Sequence, residues 1–130
     1  MRISPLGIFC WNSDLGNTSR FAQQDAELTH PHPVCLQANA PFAMSIAVLI
    51  SCPRSPQQIY EDIKSWATEM HVEKPLMNAI LDAGRAAPAD YVHQRGGSSL
   101  RFKNALWQLL HASSLEEGVV DTVMLAIASA

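Results

Sequence analysis

Charge is scarce in this chain. Only 16% of its 130 residues are Asp, Glu, Lys or Arg, and none lies between Leu28 and Pro53. Nine basic and twelve acidic residues leave a net charge of −3, and no Lys or Arg tract gathers anywhere. An extended polyanion-binding face is therefore excluded, and no nucleic-acid partner is expected. Cysteine is also sparse: Cys10, Cys35 and Cys52, none in a Cys-x-x-Cys pair. An odd number of unpatterned cysteines argues against a zinc site and for free thiols in a reducing, cytoplasmic setting. A secretory leader is not expected, because Arg2 is followed by Pro5 and Gly7 with no apolar run before a small-residue cleavage site. The longest apolar run, over 40–52, is interrupted by Pro41 and Ser45. It is too short to span a bilayer and reads as a buried helix, so no membrane partner is expected. Period-two alternation is missing throughout, which removes the case for strands.

What remains is apolar and helical. Hydrophobic residues make up 48%, the signature of a folded globular chain, and the length suits one domain over 1–130. Residues 1–18 are punctuated by Pro5, Gly7, Gly16 and Asn17 and read as irregular. A first helix is expected from near Ser19 to about Leu28, with Phe21, Ala22, Ala26 and Leu28 inward. A second runs over 33–51, apolar nearly all round, with Pro41 kinking or splitting it near Asn39. Ser55, Pro56 and Gln58 spell a capping box for a third helix, whose stripe is Ile59, Ile63, Trp66, Ala67 and Met70. Pro75 opens a fourth, carrying Leu76, Ala79, Ile80 and Ala83 and ending around 84–87. After a loop over 88–98, a fifth spans 99–111 with Leu100, Leu106, Leu109 and Leu110 inward. Ser113 or Ser114 caps a sixth, buried through Leu115, Val119, Val123 and Ile127. Trp11, Trp66 and Trp107 read as core, and Glu61-Asp62 and Glu116-Glu117 as solvated faces. The fold class is all-α.

The chemistry-bearing stretch is Leu28-Thr29-His30-Pro31-His32-Pro33-Val34-Cys35. Pro31 keeps His30 out of helical backbone, and Pro33 suits the first helical position. His30 and His32 thus stand at a helix N-terminus, where N–H groups and the dipole favour an anion such as a phosphate. On the residues alone, His30 reads equally as a ligand contact or as a histidine satisfied by local backbone. His30 and His32 do not make a metal pair. On extended backbone their rings diverge, and no further ligands can be placed. His32 reads as a capping residue or as one that supports the ligand contacts from behind. Cys35 reads as an inert core thiol, and a Cys35–His32 nucleophile pair lacks an oxyanion hole.

Three stretches together resemble the ADP-ribosylglycohydrolase family, the dinitrogenase-reductase-activating glycohydrolase group. They are Met1-Arg2-Ile3-Ser4-Pro5-Leu6-Gly7-Ile8; Asp25-Ala26 with Leu28 to Cys35; and Asn104-Ala105-Leu106-Trp107-Gln108-Leu109-Leu110-His111 with Glu116-Glu117-Gly118-Val119-Val120-Asp121-Thr122-Val123-Met124. The resemblance implies an orthogonally packed, all-α fold of about six helices. It also implies an ADP-ribose ligand contacted by His30, with Thr29 and His32 beside it. Family members hydrolyse the glycosidic bond of ADP-ribosylated substrates with a divalent metal pair, typically magnesium. Their glycine–aspartate and Thr-Asp-Asp-type elements precede Met-Arg, and an Asp-x-Asp-Thr element follows the late helices. Neither is present here, and Asp121 does not replace the latter. The resemblance therefore implies a truncated domain lacking both metal-binding ends, with no metal retained, no assignable catalytic residue, and weak or absent hydrolysis. The alternatives are an interaction or assembly module, as a homo-oligomer or a complement to a separate chain, and a relic without function.

Overall fold

A computed structural model describes residues 3–87, 97–114 and 116–118. Among these described residues lie six α-helices: α1 (Ser4–Phe9), α2 (Leu15–Glu27), α3 (Pro33–Ser51), α4 (Pro56–Glu69), α5 (Lys74–Ala83) and α6 (Ser98–His111). A short 3-10 turn, Cys10–Asn12, links α1 to α2. No strand occurs among the described residues, so the all-α expectation holds.

The architecture is arranged around α3, which touches every other helix and the 3-10 turn. Small residues make this possible: Ala38, Ala40, Ala43, Ser45 and Ala47 are all buried on it. With little side-chain volume in the way, neighbouring backbones approach closely. Gly7 of α1 is the extreme case. A Cβ there would stand 2.8 Å from Ile46 Cβ and 3.0 Å from the Ala43 carbonyl oxygen. Two apolar clusters flank α3. The larger joins Ala38 to Ile59, Ile63, Leu76, Ile80 and Phe102, and the smaller joins Ala43 to Ile3 and Ala22. Phe42 packs against both, its ring 6.5 Å from that of Phe102.

Local signals explain the ends of the elements. The Ser55–Gln58 capping box forms in full, and Pro56 takes the first turn of α4. At its other end, His71 N–H donates to the Thr68 carbonyl and Val72 N–H to that of Ala67. This closes a Schellman motif. His71 occupies its left-handed position at φ 50°. Tyr60 Oη then donates to the Ile80 carbonyl at 2.9 Å, joining α4 to α5. Gln37 Oε1 accepts the Glu73 N–H at 2.7 Å, joining α3 to the start of α5.

Several expectations are corrected. The chain is not irregular before Ser19: α1 spans Ser4–Phe9, and α2 starts at Leu15, capped by Asp14. The Asp14 carboxylate accepts the Asn17 N–H at 2.9 Å and also bonds the Asn17 side chain. These bonds hold its pKa below the usual value, the backbone bond being the largest cause. A strong N-cap overrides the weak helix propensity of Gly16 and Asn17. Pro41 does not split α3, which runs unbroken through it. The buried ring needs no donor, and Ser45 Oγ bonds the Pro41 carbonyl at 2.6 Å. Leu28 is 82% exposed because α2 ends one residue earlier. Trp11 is exposed in the 3-10 turn. Asp62 is half-buried and paired with Arg54 at 3.6 Å, so it is not a freely solvated carboxylate. Of the expected sixth helix, residues 116–118 are helical. Ser114 Oγ accepts the Glu117 N–H, as the capping pattern predicts. Leu115, Val119, Val123 and Ile127 lie outside the described residues.

The contact at Gly7 yields a stability prediction. Gly7→Ala gains helix propensity but forces a Cβ against a branched carbon and a backbone oxygen, neither of which can swing away. Overpacking of this kind costs about 1–3 kcal/mol, more than the roughly 1 kcal/mol that Ala gains over Gly in a helix. The variant should therefore unfold at lower urea concentration than the parent. A rise in the midpoint would show that α1 does not press on α3.

Candidate functional site

The segment between α2 and α3 is built by backbone bonds before any side chain contributes. The Ala26 carbonyl accepts two N–H groups, from Thr29 at 3.1 Å and His30 at 2.8 Å. The His30 carbonyl then accepts the His32 N–H across Pro31 at 2.8 Å. Two prolines and three internal bonds thus hold a short turn in which every residue from Leu28 to Pro33 is exposed.

His30, Thr29 and His32, the three residues singled out in the sequence, are neighbours on this surface but differ in role. His30 Nδ1 lies 3.0 Å from Thr29 Oγ1. That leaves an exposed imidazole oriented by a hydroxyl. His32 is the N-cap of α3, in extended backbone, and its Nδ1 accepts the Val34 N–H at 3.3 Å. Only a neutral Nδ1 can accept.

The helix start is consequently different from the expected open anion site. Pro33 has no N–H to offer. The Val34 N–H is taken by the His32 ring, and those of Cys35 and Leu36 both go to the His32 carbonyl. An anion at this position exchanges with the ring of His32; it does not fill vacant donors. Cys35 is half-buried on the first turn. None of the three cysteines is in a disulfide among the described residues.

Nothing nearby supplies a metal centre. Among the described residues, no group of three His, Cys, Asp or Glu side chains is arranged to hold a metal ion. Asp121 lies outside them. A divalent pair does not fit the residues that are described.

A separate groove of about 390 Å³ runs along the outer face of α2, from Gly16 to Glu27, and reaches Leu36 on α3. Thr29, His30 and His32 do not line it. The stripe Gly16, Arg20, Gln23, Glu27 is legible in the sequence only once α2 is known to begin at Leu15.

Compared with known families, residues 1–128 match that described as ADP-ribosylglycohydrolase. No curated protein and no solved structure matches the chain.

The capping role of His32 can be isolated from any ligand. His32→Ala should lower stability by about 1 kcal/mol, the usual cost of losing an N-cap acceptor. His32→Asn, which caps with a carbonyl oxygen, should restore most of it. Thermal unfolding of the three proteins decides: equal losses in both variants would mean that the ring does not act as a cap.

Proposed function

This chain belongs to the ADP-ribosylglycohydrolase family, and on that basis we propose that it binds ADP-ribose, or the ADP-ribosyl group of a modified substrate, at Thr29, His30 and His32. The observation that carries the proposal is the family match over residues 1–128. What supports the choice of residues is chemistry. The His30 imidazole and Thr29 hydroxyl are exposed and adjacent, a pair able to hydrogen-bond a phosphate or a ribose hydroxyl. His32 controls access to the Val34 N–H, so a phosphate can gain a backbone donor by displacing one ring.

We also propose that hydrolysis of the glycosidic bond is weak or absent. The family's chemistry depends on a metal pair that polarises the scissile centre or a water. The described residues offer it no carboxylate cluster.

Calorimetric titration of ADP-ribose into the parent protein and into His30→Ala, with and without magnesium, tests the binding proposal. Binding that is independent of magnesium and is weakened at least tenfold by His30→Ala is expected. No binding to the parent in either condition refutes it. Turnover of an ADP-ribosylated substrate with magnesium refutes the second proposal.

A second reading is favoured by one surface. Ile8, Phe9 and Trp11 are 55%, 78% and 52% exposed, and Leu49 and Ile50 at the end of α3 are 43% and 48% exposed. The Ser51 hydroxyl bonds the Trp11 carbonyl, which places these two groups side by side. No charged residue occurs in 3–13 or 28–53, so two copies could pair here without like-charge repulsion. Contiguous apolar patches of this kind mark association sites. Self-association predicts a dimer mass in light scattering that shifts towards monomer in Phe9→Ser. A parent protein that stays monomeric at high concentration excludes it.

A further inference from the structure

The groove along α2 has no part in the ADP-ribose contacts proposed above, and its lining is bipolar. Arg20 and Glu27 both line it. Seven residues apart on one helix, they share a face and stand about 10 Å apart along the axis at 1.5 Å per residue. Between them lie Gln23 and Gln24, whose amides each offer a donor and an acceptor. That is the pairing chemistry of a peptide backbone. Leu36 gives one apolar contact.

The cation is held in place. Arg20 Nη2 donates to Asn17 Oδ1 at 3.0 Å, and the guanidinium lies 5.1 Å from the centre of the Phe21 ring. Asn17 is in turn tied to the Asp14 cap. Gln23 is braced as well, its Nε2 donating to Ser19 Oγ, which donates to Met70 Sδ. A carboxylate facing Arg20 therefore meets an oriented donor fork. A polyanion does not suit the groove, because Glu27 would repel its far end.

We infer that this groove binds an extended peptide segment of a partner protein, with an acidic side chain against Arg20 and a Lys or Arg side chain against Glu27. In polyproline II conformation, residues three apart return to one face about 9 Å along the chain. That matches the separation of the two charges and points to an acid-x-x-base sequence. The groove reaches Leu36, whose N–H bonds the His32 carbonyl. If the ADP-ribose proposal holds, the segment belongs to the polypeptide that carries the modification; peptide binding itself does not depend on that proposal.

The test is fluorescence polarisation with labelled Asp-Pro-Pro-Lys, Asp-Pro-Pro-Asp and Lys-Pro-Pro-Lys peptides on the full chain at low salt. The parent should prefer Asp-Pro-Pro-Lys. Each reversed charge should shift preference about fivefold, the scale of one exposed ion pair. Arg20→Glu should therefore favour Lys-Pro-Pro-Lys, and Glu27→Arg should favour Asp-Pro-Pro-Asp. These are gains of binding, which a misfolded variant cannot produce. No preference in the parent, or variants that leave the ranking unchanged, overturns the inference. So does loss of ADP-ribose binding in Arg20→Glu, which would make the groove a phosphate subsite. Peptide binding without ADP-ribose binding would refute only the earlier proposal.

Discussion

Close approach to one uncharged helix is the constraint on which the rest of this structure depends. Every other described element contacts α3, and the positions where they press on it are mostly small and all uncharged. Its buried positions are Ala38, Ala40, Pro41, Ala43, Met44, Ser45 and Ala47. Burying an unpaired charge among them would cost far more than one hydrophobic contact returns. The scarcity of charge between Leu28 and Pro53 is thus a packing requirement. By length and composition α3 would also suit a membrane span, as core helices of soluble proteins do. Here seven of its nineteen residues are buried against the neighbouring helices, and charged residues are carried by α2, α4, α5 and α6 instead. Among these are the Glu61–Lys64 pair at 2.6 Å and the Lys103–Asp82 pair at 3.8 Å.

The same helix determines what the candidate site can be. Because Pro33 begins α3 and His32 caps it, the turn before it must be extended, and the two hydrogen bonds that the Ala26 carbonyl accepts from Thr29 and His30 fix where that turn leaves α2. Backbone bonding is satisfied internally, which releases the side chains of Thr29 and His30 to solvent. The histidines divide the work: one holds the helix start and the other faces outward.

Much of this was legible in the sequence, and the misses share a cause. Capping signals acted locally and read true: Ser55 with Gln58 on α4, Pro33 on α3, and Ser114 before Glu117. The stripes of α4 and α5 were equally plain, since Ile59, Ile63, Ala67, Leu76, Ile80 and Ala83 are buried at helical spacing. Reading failed where tertiary contact overrides local preference. Gly7 looked like a helix breaker, yet it is the residue that lets α1 lie against α3. Asp14 caps α2 even though the weak helix formers Gly16 and Asn17 follow it. Phe102, 1% exposed and the largest fully buried side chain among the described residues, stands between Arg101 and Lys103, whose charges mask it in the sequence. In the site, residue identities and the capping role of His32 were visible, but how fully that cap closes the first N–H groups of α3 was not. It depends on a ring rotamer that no spacing rule encodes.

That closure changes what kind of recognition the surface can support. An open helix N-terminus binds anions through backbone donors, with little regard for what the anion is attached to. Here those donors are already paired, so a phosphate gains only the difference between its own bond to the Val34 N–H and that of the His32 ring. Under the proposed ADP-ribose reading, backbone affinity is reduced accordingly, and discrimination would pass to side chains, to the His30 imidazole oriented by Thr29. A surface of this design rewards a ligand that engages His30 and displaces His32 together. It penalises a simple anion that can only do the second.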